Sequence, residues 1–158
     1  MGFNRRGLSK RMGWSIISGT RVGEWVAKRI DGSYSAGDSI AIGLERHEIV
    51  VAGVIYENWN RRSIMCHIAI EQRITPGFLG AIFHYPFSVC KVDKIIVPVG
   101  DANEKSKRLV CKMGFEEEAR IKDACVDGDM VFYTMLKDKC RFLGESYGKK
   151  FTVPASAA

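Results

Sequence analysis

The chain has 158 residues, with 24 Lys and Arg against 18 Asp and Glu (formal net charge +6), 46% hydrophobic, 27% charged and 10% aromatic residues. That balance excludes disordered, collagen-like and low-complexity chains, and this length buries roughly 70% of its unfolded surface, enough for one core and one domain. The charge is unevenly placed: residues 1–23 hold Arg5, Arg6, Lys10, Arg11 and Arg21 and no acid, which leaves 19 bases against 18 acids elsewhere. A basic N-terminal arm, residues 1–11, can bind a nucleic acid by releasing counterions, or simply remain solvated.

The cysteines, Cys66, Cys90, Cys111, Cys125 and Cys140, are odd in number and include no C-x-x-C pair. Metal sites need clustered thiolates or imidazoles and disulfide scaffolds need denser cysteine, so these read as reduced, buried small hydrophobes with no metal site. Residues 12–17 are too short and polar for a secretory segment, and Gly2 is followed by Arg6 where a myristoylation signal wants Ser or Thr. The longest apolar stretch, 49–56, falls far short of the ~20 residues of a membrane span. The expectation is a cytoplasmic protein without membrane association.

In chain order, residues 12–18 read as a strand and 21–30 as a helix, with Val22, Trp25, Val26 and Ile30 on one side, Thr20 as its N-cap and Gly32 after its end. Three strands follow, 39–46, 49–57 and 63–71, joined by a tight His47-Glu48 turn and a turn over 58–62; this is an antiparallel meander. Thr75-Pro76 starts a second helix, with Pro at its first position, and Pro86 should kink or restart it. Residues 94–99 form a strand, 101–113 a helix ended by Gly114, and 115–126 with 130–137 a hairpin turned at Asp127-Gly128. The order is β-α-βββ-α-β-α-ββ, an α/β (α+β) fold with a mixed, mostly antiparallel central sheet flanked by helices. A domain over 12–140 and a frayed tail over 141–158 complete the expected organisation. A locally parallel pair inside such a sheet leaves an opening where neighbouring strands diverge.

Directly after the strand Lys94-Ile-Ile-Val-Pro-Val99 stands Asn103-Glu-Lys-Ser106-Lys-Arg-Leu109-Val-Cys-Lys-Met-Gly114-Phe115. This resembles the GNAT superfamily of acyl-CoA-dependent N-acyltransferases, whose members carry N-x-x-S/A-x-x-L-x-x-x-x-G-F here, and the element order over residues 12–137 matches. Glu116-Glu-Glu-Ala-Arg120 and Val131-Phe-Tyr-Thr-Met135 resemble the ribosomal-protein alanine acetyltransferase branch, while His84-Tyr-Pro-Phe87 and Cys140-Arg-Phe-Leu143 look like phage and prophage members.

The resemblance implies transfer of an acetyl or other short acyl group from acetyl-CoA to an amine on a small molecule or protein, by direct attack. It implies that the third meander strand, through Ile68, Ala69 and Ile70, pairs with the pantetheine arm. It further implies that Arg73, Gly77, Phe78, Leu79 and Gly80 at the next helix start cradle the pyrophosphate with free N–H groups. Asn103 and Ser106 would lie near the thioester, Ser106 as candidate acid. The sequence departs from the pattern at Pro76, where a glycine is usual, and at Val110, where many members have Tyr. For the base, strand alternation separates Ile64, Cys66, Ile68 and Ile70 from Met65, His67, Ala69 and Glu71, and His67 or Glu71 could take the amine proton. Trp59, Arg61, Arg62 and Tyr34 could shape the acceptor side. No cysteine has a neighbouring activator, which disfavours a covalent route. Two other readings stay open: a nucleic-acid modifying protein using the basic arm, and a catalytically silent binding or structural module. The oligomeric state is open to more than one copy.

Overall fold

The computed structural model describes residues 13–30 and 33–147. The basic arm and the end of the expected tail lie outside these described residues. The elements run β1 (Trp14–Ser18), α1 (Thr20–Arg29), β2 (Ile40–Arg46), β3 (Ile49–Glu57), β4 (Ser63–Ile70), α2 (Pro76–His84), β5 (Lys94–Gly100), α3 (Glu104–Met113), β6 (Glu116–Cys125) and β7 (Gly128–Leu136). They build a seven-stranded sheet in the order β1-β2-β3-β4-β5-β7-β6. All neighbours are antiparallel except β4 and β5. This is the mixed, mostly antiparallel sheet flanked by helices that the sequence pattern predicts.

The meander forms because His47 and Glu48 both accept positive φ, 49° and 68°, in the tight turn between β2 and β3. α1 is seated by two glycines: a Cβ at Gly43 would meet the Val22 side chain at 2.8 Å, and one at Gly53 would meet Val26 at 2.6 Å. Val22 and Val26 are therefore fully buried against β2 and β3, a gain of about 1.5–3 kcal/mol each. The expected Thr20 cap is corrected: Gly19 is the N-cap, at φ 102°, and Thr20 is the first helical residue. The chain turns from β1 into α1 through a left-handed conformation that costs glycine little.

On the opposite face, α2 and α3 cover a larger core containing Phe78, Ile82, Phe83, Val110 and Met113 with Ile64, Cys66, Ile68, Val97 and Tyr133. After α2 the helix widens into a π turn over Tyr85–Val89, where the Cys90 N–H donates to the Tyr85 carbonyl at 2.9 Å. Pro86 has no N–H for the regular ladder, which accounts for the predicted break.

The expectation of a loose segment from Arg141 onward is corrected for its first seven residues. Phe142 is buried, stacks on Phe83 with ring centroids 4.7 Å apart, and meets Tyr147 edge-on at 5.1 Å. Arg141 donates a hydrogen bond to the Lys112 carbonyl near the end of α3. The segment runs as single 3-10 turns. Its two anchoring rings follow neither a helical nor a strand period, so patterning cannot reveal it.

Candidate active site between β4 and β5

β4 and β5 are paired only over Ser63–Met65 with Lys94–Ile96. Beyond that register they part. The closed end is pinned from the β3–β4 turn: Arg62 pairs with Asp93 at 2.8 Å, and the Asp93 N–H donates to the Arg62 carbonyl at 2.9 Å. Trp59 donates its indole N–H to the Cys90 carbonyl at 3.2 Å. Trp59 and Arg62 thus belong to the closed end of the strand pair and not to an acceptor side. Tyr34 packs instead with Val22 and Val26 in the α1 core.

Where the strands diverge, two adjoining cavities open, of 230 Å³ and 240 Å³. They share Ile30, Ile68, Asn103, Ser106 and Leu109 as walls, so they form one slot running from β5 along the end of β4. Of the residues implied by the resemblance, His67 lines the first cavity and Ala69, Ile70 and Glu71 the second, while Ile68, Asn103 and Ser106 line both. Beyond Met65 the β4 main chain has β3 on one side and this slot on the other, the arrangement an extended thioester arm needs.

His67 lies on the α1 side of β4, in register with Ile55. Its Nε2 is 2.7 Å from Glu57 Oε1, with the two side chains 22% and 31% exposed. With Glu57 accepting from Nε2–H, Nδ1 carries the lone pair and can take a proton from a bound amine. Glu57 is the partner that sequence reasoning did not select. The β3–β4 register sets it opposite Met65, diagonal to His67.

Glu71 has a different fate. Arg29 Nε lies 2.6 Å from its carboxylate, and the Arg29 guanidinium stacks 3.7 Å above the Trp25 ring. That hydrogen bond, outweighing some desolvation, holds the Glu71 carboxyl below the usual carboxylate range, so it is a poor proton acceptor. The geometry brings His67 to the cavity beside β5 and leaves Glu71 in the second cavity, paired with Arg29.

Asn103 caps α3, its Oδ1 accepting from the Ser106 N–H at 3.1 Å. The N-terminal end of α3 is further tied to the hairpin through Asp101, whose carboxylate meets Arg120 at 2.8 Å and Lys107 at 2.9 Å. Arg120, then Lys107, lower the Asp101 carboxyl from its ordinary value. This network fixes the wall of the slot opposite β4.

The nucleotide end fits less well. The Phe78 N–H donates to Thr75 Oγ1 at 3.1 Å and the Leu79 N–H to the Thr75 carbonyl at 3.2 Å. Gly80 lies within α2, where the helical ladder takes its N–H. Pro76 has none. Of the expected donors, Gly77 retains its N–H and Arg73 an exposed side chain. Phe78 itself is fully buried in the core beneath the sheet and leaves the slot clear. The residues present therefore suit a pantetheine thioester along β4, with a reduced pyrophosphate cradle at α2.

All five cysteines are free, but the reading of all five as buried is corrected. Cys66 is a core residue, and burial pushes its thiol far above its usual value; Cys90, Cys125 and Cys140 are half-buried, and Cys111 is exposed on α3. Among the described residues no three His, Cys, Asp or Glu side chains could hold a metal ion, and no helix is long and apolar enough to cross a membrane.

This architecture is that of the GNAT-fold acetyltransferases. A mutant of the spermidine N-acetyltransferase SpeG from Vibrio cholerae superimposes with a TM-score of 0.66 at 16% identity, covering 85% of this chain and 98% of that one. The Campylobacter jejuni N-acetyltransferase PseH, solved in complex with acetyl coenzyme A, gives 0.51 at 16% identity over 63% of this chain and 69% of its own. No protein-family model and no curated protein matches the chain. At these identities the likeness establishes the fold.

Proposed function

We propose that this protein is an acyl-CoA-dependent N-acetyltransferase, and the observation that carries the reading is the His67–Glu57 pair, 2.7 Å apart, at the mouth of a slot beside unzipped strand backbone. Acetyl-CoA supplies an acyl group already activated as a thioester, so the chain needs to position, deprotonate and polarise. The main-chain N–H groups of Ile68 and Ile70, which alternate away from β3, hold the arm and polarise the carbonyl. His67 takes the proton of the amine, and Glu57 orients the ring and offsets the charge that develops on it. Ser106, which lines both cavities, is the candidate donor to the departing thiolate. Attack is direct, and the work is done in the cytoplasm, of the host cell if the chain is phage-encoded.

A second reading, a silent binding module, is favoured by the donors that α2 spends on Thr75. Calorimetric titration with acetyl-CoA followed by turnover with an amine decides between them. Saturable binding together with acetylation lost in His67→Ala supports the transferase. Absence of binding up to millimolar acetyl-CoA overturns it.

A further inference from the structure

The amine side of the slot opens onto part of the sheet that α1 does not reach. α1 packs on β1 to β4, while Val110 and Met113 of α3 bury themselves against the opposite face of β5 and β7. On α1's side the register builds a largely apolar surface, interrupted at Thr134. Met65 stands beside Ile96 and Thr134; Pro98 stands beside Phe132 in the next row, level with His67; Met130 follows beyond. Each is half-buried, whereas the alternate residues Ile95, Val97, Val99, Val131, Tyr133 and Met135 are buried beneath. Ile121 extends the surface onto β6 and is 51% exposed. Pro98 and Met130 also line the first cavity, so slot and surface are continuous.

The charges bordering this surface are few and mostly committed. Glu57 holds His67, and Lys94, from the end of β5 away from the slot, reaches back past Thr134 to Glu118 in the β6 bulge beside Phe132, at 2.7 Å. Glu116 stands at the outer edge, in register with Thr134. A polyamine reaching out from His67 would lay its nearer ammonium group on thioether, ring and methyl groups, losing hydration, and would meet the Glu116 carboxylate no nearer than the outer edge. An amine on an apolar body loses nothing comparable. The surface spans about 13 Å along β5 and about 10 Å across β5, β7 and β6 by ordinary strand spacings, room for a compact aryl or alkyl body.

We infer that the acceptor is a primary amine carried on a compact apolar body, an arylalkyl- or alkylamine, whose nitrogen meets His67 while its body lies on Met65, Ile96, Phe132 and Met130. This rests on the transferase reading. The test compares acetyl transfer to 2-phenylethylamine, hexylamine and spermidine by the wild-type chain, with acetyl-CoA binding measured separately by calorimetry. The expected result is a kcat/KM for 2-phenylethylamine at least about tenfold above that for spermidine. Ile121→Glu, at an exposed edge position, should lower the aryl and alkyl rates by about fivefold or more with acetyl-CoA affinity unmoved, and Phe132→Glu should lower them further.

Preference for spermidine, or aryl and alkyl rates untouched by both variants, overturns the inference while leaving the transferase standing. Acetyl-CoA binding without transfer to any of the three amines does the same. A wild-type dimer in sedimentation that Phe132→Glu dissociates also overturns it, since a second copy would then cover the surface. Absence of acetyl-CoA binding removes the transferase reading, and the inference falls with it.

Discussion

At the end of the slot proposed for the thioester, β4 runs past Met65 with β3 on one side and open space on the other. At the α2 end, Thr75 absorbs the Phe78 and Leu79 N–H groups through its hydroxyl and its carbonyl. Both ends would recognise the acyl donor through main-chain donors, yet one keeps them available and the other spends them on its own helix start. A strand can expose donors only where a neighbour departs from it, which is a property of the whole sheet. A helix start exposes donors unless a local side chain caps them, which is a property of four consecutive residues. Loss of a cradle can therefore be a local event, while the slot persists as long as the sheet does.

The contrast can be broken most sharply at the thioester end. Replacing His67 by Ala should lower kcat by about 10²–10⁴-fold with acetyl-CoA affinity unchanged, as steady-state kinetics beside calorimetry would report. A drop below threefold would remove the base from the dyad. The α2 end should respond in stability before chemistry. Phe142→Ala removes the ring stacked on Phe83 and should cost about 3–5 kcal/mol in denaturant unfolding. A cost under about 1 kcal/mol would mean that the 141–147 segment does not brace α2.

Thr75→Ala should cost about 1 kcal/mol of stability. It also frees the Phe78 N–H, so acetyl-CoA affinity should rise by about threefold, the value of one modest hydrogen bond. Unchanged affinity would mean that the pyrophosphate does not approach α2. The smallest effect concerns the Asp101 network that fixes the slot's other wall. The folded-state carboxyl is lowered by Arg120 and Lys107, so its contribution is present above the ordinary aspartate range and fades as pH falls through the folded value. Melting temperatures of wild type and Asp101→Asn should differ at neutral pH and converge in strong acid. A difference that persists there would place the stabilisation elsewhere.

Local chemistry made much of this legible. Thr75-Pro76 started α2, Gly114 ended α3, His47-Glu48 turned its hairpin, and the alternation of β4 put His67 on the face opposite Ile68, while the last hairpin turns at Val126-Asp127, one residue before the expected Asp127-Gly128. Each depends on residues within a few positions of one another. The acidic run at Glu116 to Glu118 is exposed because β6 is the last strand of the sheet, where charge discourages edge-to-edge pairing.

The pairing of Glu57 with His67, the diversion of Glu71 to Arg29 and the docking of Phe142 on Phe83 were not legible. They join residues ten to fifty-nine positions apart. Glu71 illustrates the reason. Its position at the end of β4 suits a base, and only the seating of α1 on Gly43 and Gly53 brings Arg29 across to neutralise it. The sequence by itself determined which segments are strands and helices and which way their side chains alternate, because backbone sterics and burial period act locally. The parting of β4 from β5, and therefore which backbone groups and which titratable side chains share the slot, was decided by packing between distant segments, where each contact depends on all the others being made.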